Sequence, residues 1–181
     1  MVTSSGNFIS NFVQCVNSGQ IRGRNPPLRI SKRLQLILIN MQFDPNNNVV
    51  KLCAQGMDME GKGMPEEASR LFLQAWNEAT NDFEKFTAAH YVARHQKNNT
   101  DKLKWDEIAL QLALKINNDS VREIFPSLYL NIAKCYEDLN DLENAKRNYE
   151  SALSFSNLLP DNGYGNMIKG GIVNGIERVT K

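Results

Sequence analysis

From Val49 onward, apolar and small residues recur at intervals of three and four, and Gly, Pro, Asn and Asp fall between stretches of helical length. The pattern predicts helices over about 48–61, 65–79, 82–97, 101–117, 122–138, 141–156 and 164–179. The boundaries have local causes. Gly61 and Gly63 relax the end of the first helix, and Pro65 suits the first turn of the second, where its missing N–H is no loss. Asn99, Thr100 and Asp101 offer capping oxygens for the fourth helix. Asp141 does so for the sixth, with Glu143 near the positive end of its dipole. Pro160, Gly163 and Gly165 break the chain before the last helix.

The helices fall into pairs that repeat. The first pair carries Leu52, Gly56, Met59 and Gly63, then Ala68, Phe72 and Ala75. The third carries Tyr129, Ile132, Ala133 and Tyr136, then Ala145, Tyr149 and Ala152. Small residues at Gly56 and Ala68, and at Ala133 and Ala145, let two helices approach. Met59 and Phe72, and Tyr136 and Tyr149, fill the space beside them. This spacing over residues 48–157 resembles the tetratricopeptide repeat, and the whole layout resembles short bacterial tetratricopeptide proteins. In the middle pair Ala88, Ala89 and Val92 fit the first helix, and Leu110 with Ala113 the second. Asp106, however, stands where a small residue belongs, and the loop around Lys97 to Asp101 looks several residues long. Taking Ala75, Ala113 and Ala152 as equivalent gives spacings of 38 and 39 residues, against about 34 for the consensus repeat.

The resemblance implies an all-α fold: a right-handed superhelical solenoid of about three helical hairpins closed by a C-terminal capping helix. Ile168, Ile172, Ile176 and Val179 form the stripe by which that helix covers the last hairpin. Gly171 and Gly175 imply tight helix contact there.

Charge divides the chain. Residues 1–40 hold Arg22, Arg24, Arg29, Lys32 and Arg33 and no acid, so residues 41–181 hold 16 of the 21 basic residues and all 20 acidic ones. The total of +1 argues against a generally basic nucleic-acid binder. Rich in Ser, Asn, Gly and Arg, residues 1–40 lack the composition of a core and are expected to be disordered. Three readings stand for them: a misassigned start, with Met41 opening the helical domain 41–181; a basic arm or linker; and a targeting segment. The longest apolar run, Leu34 to Ile39 with Gln35 inside it, is too short to span a bilayer.

Candidate chemistry is sparse. Cys15, Cys53 and Cys135 are far apart and odd in number, as in a cytoplasmic protein with reduced thiols. His90 and His95 are five apart, off the spacing that places two metal ligands on one helical face. Gly61-x-Gly63 and Gly163-x-Gly165 punctuate helices and do not form phosphate loops. Asn25-Pro26-Pro27-Leu28 resembles the catalytic loop of adenine methyltransferases, but Leu28 replaces the aromatic residue and no glycine-rich cofactor turn precedes it. No catalytic, cofactor or metal site is expected. Trp76 and Trp105 read as core.

In the tetratricopeptide family the first helix of each hairpin lines a concave groove. The resemblance therefore implies a partner site at His90, Tyr91 and Arg94, continuing to Asn131, Lys134 and Asp138. A plainer reading makes His90 a packed interhelical residue and pairs Arg94 with an acid. The family's carboxylate clamp is not reproduced, because the first hairpin's groove positions fall near Cys53 and Met57. The expected function is a non-catalytic adaptor binding a protein or peptide segment, with no membrane partner and with self-association open. A nucleic-acid-associated factor using the basic arm is the alternative, and an enzyme the last.

Overall fold

The computed structural model describes residues 46–116 and 119–181. The basic segment 1–40, with Cys15 and the Asn25-Pro26-Pro27 motif, lies outside the described residues. Among the described residues there are seven helices of more than one turn: α1 (Asn48–Gly61), α2 (Pro65–Glu78), α3 (Asp82–Arg94), α4 (Asn99–Lys115), α5 (Phe125–Asp138), α6 (Leu142–Ser154) and α7 (Gly163–Val179). A single helical turn, Asp119–Arg122, lies between α4 and α5, and a short 3-10 turn, Ser156–Leu158, follows α6. No strand occurs among the described residues.

The helices start by two devices. Asn47, Asn81, Asn98, Asp141 and Asn162 each accept a hydrogen bond from a backbone N–H in the first turn they precede. The starts without a side-chain cap, those of α2 and α5, carry Pro65 and Pro126 in their first turn. Pro126 also explains why α5 opens at Phe125 and not near 122. Lacking an N–H, it cannot continue a helix from Arg122, so the preceding turn stays separate. The cap of α4 is Asn98, one residue before the expected group.

The capping positions reveal a regular interval. Helices α1 to α4 follow residues 47, 64, 81 and 98, and α5 and α6 follow residues 124 and 141. Within each run, starts are 17 residues apart. The unit is thus 34 residues between the first two hairpins and 43 between the second and third. The extra nine residues lie between α4 and α5, where α4 runs longer and the single turn is inserted. This corrects the spacing of 38 and 39. Counted from the caps, the partner of Ala75 and Ala152 is Ala109 rather than Ala113. The loop between α3 and α4 is also only one residue longer than its counterparts.

The first and third hairpins turn identically, 77 residues apart. Met64 and Asp141 each donate to the carbonyl five residues back (Met59 and Tyr136, both 2.9 Å), and Gly63 and Asn140 donate to Glu60 and Glu137 (both 3.0 Å). Gly63 (φ 72°) and Asn140 (φ 62°) supply the left-handed residue that this helix ending demands. Helices pack in neighbouring pairs, α1 on α2, α3 on α4 and α5 on α6, while α2 meets α3, α4 meets α5, and α7 lies on α6 and α5. Trp76 and Trp105 meet edge to face at 4.9 Å and join the first two core clusters. Ile168 and Ile172 bury against Ala152, as the stripe on α7 predicts.

Candidate functional site

In the first hairpin Gly56 lies against Phe72, whose ring fills the space a Cβ would need. Nine residues after the cap, Gly56 is matched by His90 in the second hairpin and Ala133 in the third. Eight residues after the cap of the second helix, Phe72 is matched by Asp106 and Tyr149, and Ala68 by Lys102 and Ala145. The middle crossing thus replaces Gly, Phe and Ala by His90, Asp106 and Lys102. Asp106 stands at the aromatic position, not at the small one the sequence spacing indicates.

Asp106 is buried (1% exposed). Lys102 Nζ donates to its Oδ2 at 2.6 Å and lies 3.3 Å from Cys135 Sγ on α5, and the thiol lies 3.7 Å from the same carboxylate oxygen. Asn131, also on α5, hydrogen-bonds Asp106. Burial pushes the Asp106 carboxyl up, opposed by Lys102 and its hydrogen-bond donors. Burial works against the Lys102 ammonium, but Asp106 outweighs it and keeps Lys102 protonated. Burial raises the Cys135 thiol while Lys102 draws it down. His90 is neutral: burial, with Arg94 and Lys102 nearby, takes its pKa down to about 3.

The six residues of the expected partner site do not share one exposed surface. His90 is buried with its ring edge toward Tyr91. Tyr91 is buried and stacked on Phe72 at 5.0 Å. Arg94 donates to Glu60 of α1 at 2.9 Å, and the His95 ring meets the same carboxylate at 2.7 Å. Asn131 is spent on Asp106. Lys134 pairs with Asp138 one turn on and lies 3.8 Å from Glu137, and of the six only this Lys–Asp pair is exposed.

No protein-family model, curated protein or solved structure matches the chain. The functional reading therefore rests on the geometry. Among the described residues no group of three or more His, Cys, Asp or Glu side chains is placed to hold a metal ion. No helix among them is long and apolar enough to cross a membrane.

Sequence reasoning passed over a second polar cluster. Glu137 on α5 accepts two hydrogen bonds from Arg178 of α7 (2.7 and 2.9 Å) and one from the Tyr149 hydroxyl of α6 (2.5 Å). Arg178, with Tyr149 and Lys134, holds the Glu137 carboxyl down at about 2. The only sequence signal was position: Glu60 and Glu137 stand at the same place in their hairpins, and both are used to tie a later helix back.

Proposed function

We propose that the chain is a non-catalytic protein-interaction module: a short right-handed solenoid of three tetratricopeptide-like hairpins with α7 as its cap, binding a partner segment along the face formed by α1, α3 and α5. The observation that carries the reading is the 17-residue spacing of helix starts. Two such steps make 34 residues, the length of the tetratricopeptide unit. The recurrent turn at Gly63 and Asn140 supports it. So do the paired contacts of Gly56 with Phe72 and of Ala133 with Tyr149.

The partner contacts belong on the exposed pair of α5, Lys134 and Asp138, and on their counterparts ten and fourteen residues after the cap of α1, the half-buried Met57 and the exposed Gly61. The site does not reach His90 or Tyr91, which are core. Lys134 and Asp138 balance each other's charge, so the partner segment is recognised by local polar contacts and not by net charge. The test is reversal of Lys134 and of Asp138, as Lys134→Glu and Asp138→Lys in separate variants of the full chain. Isothermal titration against partner peptides that bind the unmodified protein should show weakened binding for at least one variant, with helical content unchanged. Binding that both variants retain in full places the site elsewhere. Arg94→Glu is unsuitable, because it sets a second carboxylate against the largely buried Glu60 and removes the tie between α3 and α1.

A further inference from the structure

We propose that Lys102 and Cys135 are a modification site at which a peroxide drives formation of a covalent sulfenamide, an Nζ–Sγ bond, with Asp106 relaying protons between them. The two nucleophiles come from different hairpins, 33 residues apart in sequence, and stand 3.3 Å apart around one carboxylate oxygen. The bond would staple α4 to α5.

The three groups supply every proton the chemistry needs. Asp106 takes the thiol proton, and the sulfur attacks one oxygen of hydrogen peroxide. The S–O bond forms as the O–O bond breaks, and the Lys102 ammonium gives its proton to the departing hydroxide, which leaves as water. Cys135 is now a sulfenic acid, and Lys102 is a neutral amine beside it. The amine lone pair then attacks sulfur, the S–O bond breaks, and the hydroxyl leaves as a second water with the proton held on Asp106. The excess proton on nitrogen passes to solvent through the carboxylate. One thiol, one ammonium and one peroxide give one sulfenamide, two waters and one proton. Sulfur is oxidised by two electrons and peroxide is reduced by two.

Access is through Lys102. Its side chain is 29% exposed while Asp106 and Cys135 are each 1% exposed, so of these three groups it is the lysine that meets solvent. Cys53 is the internal control. It is fully buried among Val49, Leu52, Ala68, Phe72 and Tyr91, and burial pushes its thiol up to about 12. Burial raises the Cys135 thiol as well, but Cys135 has the Asp106 carboxylate beside it to take its proton, whereas Cys53 is packed among these core side chains.

The experiment treats the full chain with hydrogen peroxide, digests it without reductant and reads the peptides by mass spectrometry. The expected product is a peptide pair joined through Lys102 and Cys135, lighter than the two free peptides by two hydrogens. Tryptic cleavage after Lys102 is lost, a dithiol restores both peptides, and Cys53 stays a free thiol. In Lys102→Arg, which keeps the charge and removes the reactive amine, the linked pair should vanish and Cys135 should be trapped by dimedone as sulfenic acid. The proposal is overturned if Cys135 of the unmodified sequence remains a free thiol while Cys15 oxidises. It is equally overturned if Cys135 proceeds to sulfinic acid with Lys102 unlinked. Both outcomes are read on the unsubstituted protein, so a Lys102→Arg variant that fails to fold leaves the test intact.

Discussion

The crossing in the first hairpin and the crossing in the second sit at the same count from their helix caps, yet one is dry and the other ionic. In the first, Gly56, Ala68 and Phe72 bring two backbones close and fill the gap with a ring. In the second, His90, Lys102 and Asp106 occupy those places, and the ion pair reaches on to Asn131 and Cys135 of the next hairpin. The apolar crossing also meets the next hairpin, where Tyr91 stacks on Phe72, but it does so by packing alone. The ionic one is satisfied only by a neighbour, because a buried carboxylate needs more partners than one lysine provides. The difference shows that a helical hairpin can keep its geometry while changing the chemistry at its centre.

The largest expected effects come from emptying either crossing. Phe72→Ala should cost about 3–5 kcal/mol by leaving a cavity beside Gly56. Lys102→Met should cost about 3–5 kcal/mol by leaving Asp106 buried and unpaired. The double change Lys102→Met with Asp106→Leu should recover most of that loss if the ionic crossing is one unit, and no recovery would break the comparison. Urea titration reads all three.

Acid comes next. His90 titrates near 3 in the folded chain, against an ordinary histidine value of 6.5 once the chain is unfolded. Between those values the unfolded chain binds a proton that the folded chain does not. Its contribution is therefore complete above pH 6.5 and is lost as pH falls toward 3, at about 1.4 kcal/mol per pH unit. His90→Gln should flatten the stability profile in that window, measured by urea midpoints at successive pH values. Glu137 acts lower, its support fading as pH falls from 4.5 to about 2.

Arg178→Ala should cost about 1 kcal/mol, because the guanidinium is half-exposed and Tyr149 still donates to Glu137. The loss should appear as faster amide exchange in α7 before the rest of the molecule. Smallest in stability is Lys134→Glu, within about 0.5 kcal/mol because the residue is at the surface. A larger loss would mean that its pairing with Asp138 and Glu137 matters more than its exposure suggests.

Much of the fold was legible because its determinants are local. The recurrence of Gly, Ala and aromatic residues marks which faces meet, and Pro65, Asp141 and Gly63 mark the ends. The middle register was not legible. Ala109 and Ala113 lie one turn apart on the same face, so either fits an alanine-based alignment, and only the position of the Asn98 cap separates them. The burial of the residues expected to meet a partner was less legible still. His90, Tyr91 and Arg94 are polar or amphipathic residues on a helix, and nothing in their spacing says that α3 is enclosed. Asp106 is out of place in the repeat pattern, and that is the one signal of the ionic crossing the sequence carries.

The sequence alone determined that residues from about 48 onward form seven helices in antiparallel neighbours. That follows from periodicity, capping and chain breaks, which act within a turn or two. Only the tertiary structure decided which polar residues are buried, that Arg94 meets Glu60 and Arg178 meets Glu137, and that Cys135 joins the Lys102–Asp106 pair. Those depend on contacts across about thirty residues of chain, and a buried charge is stable only where such a distant partner meets it.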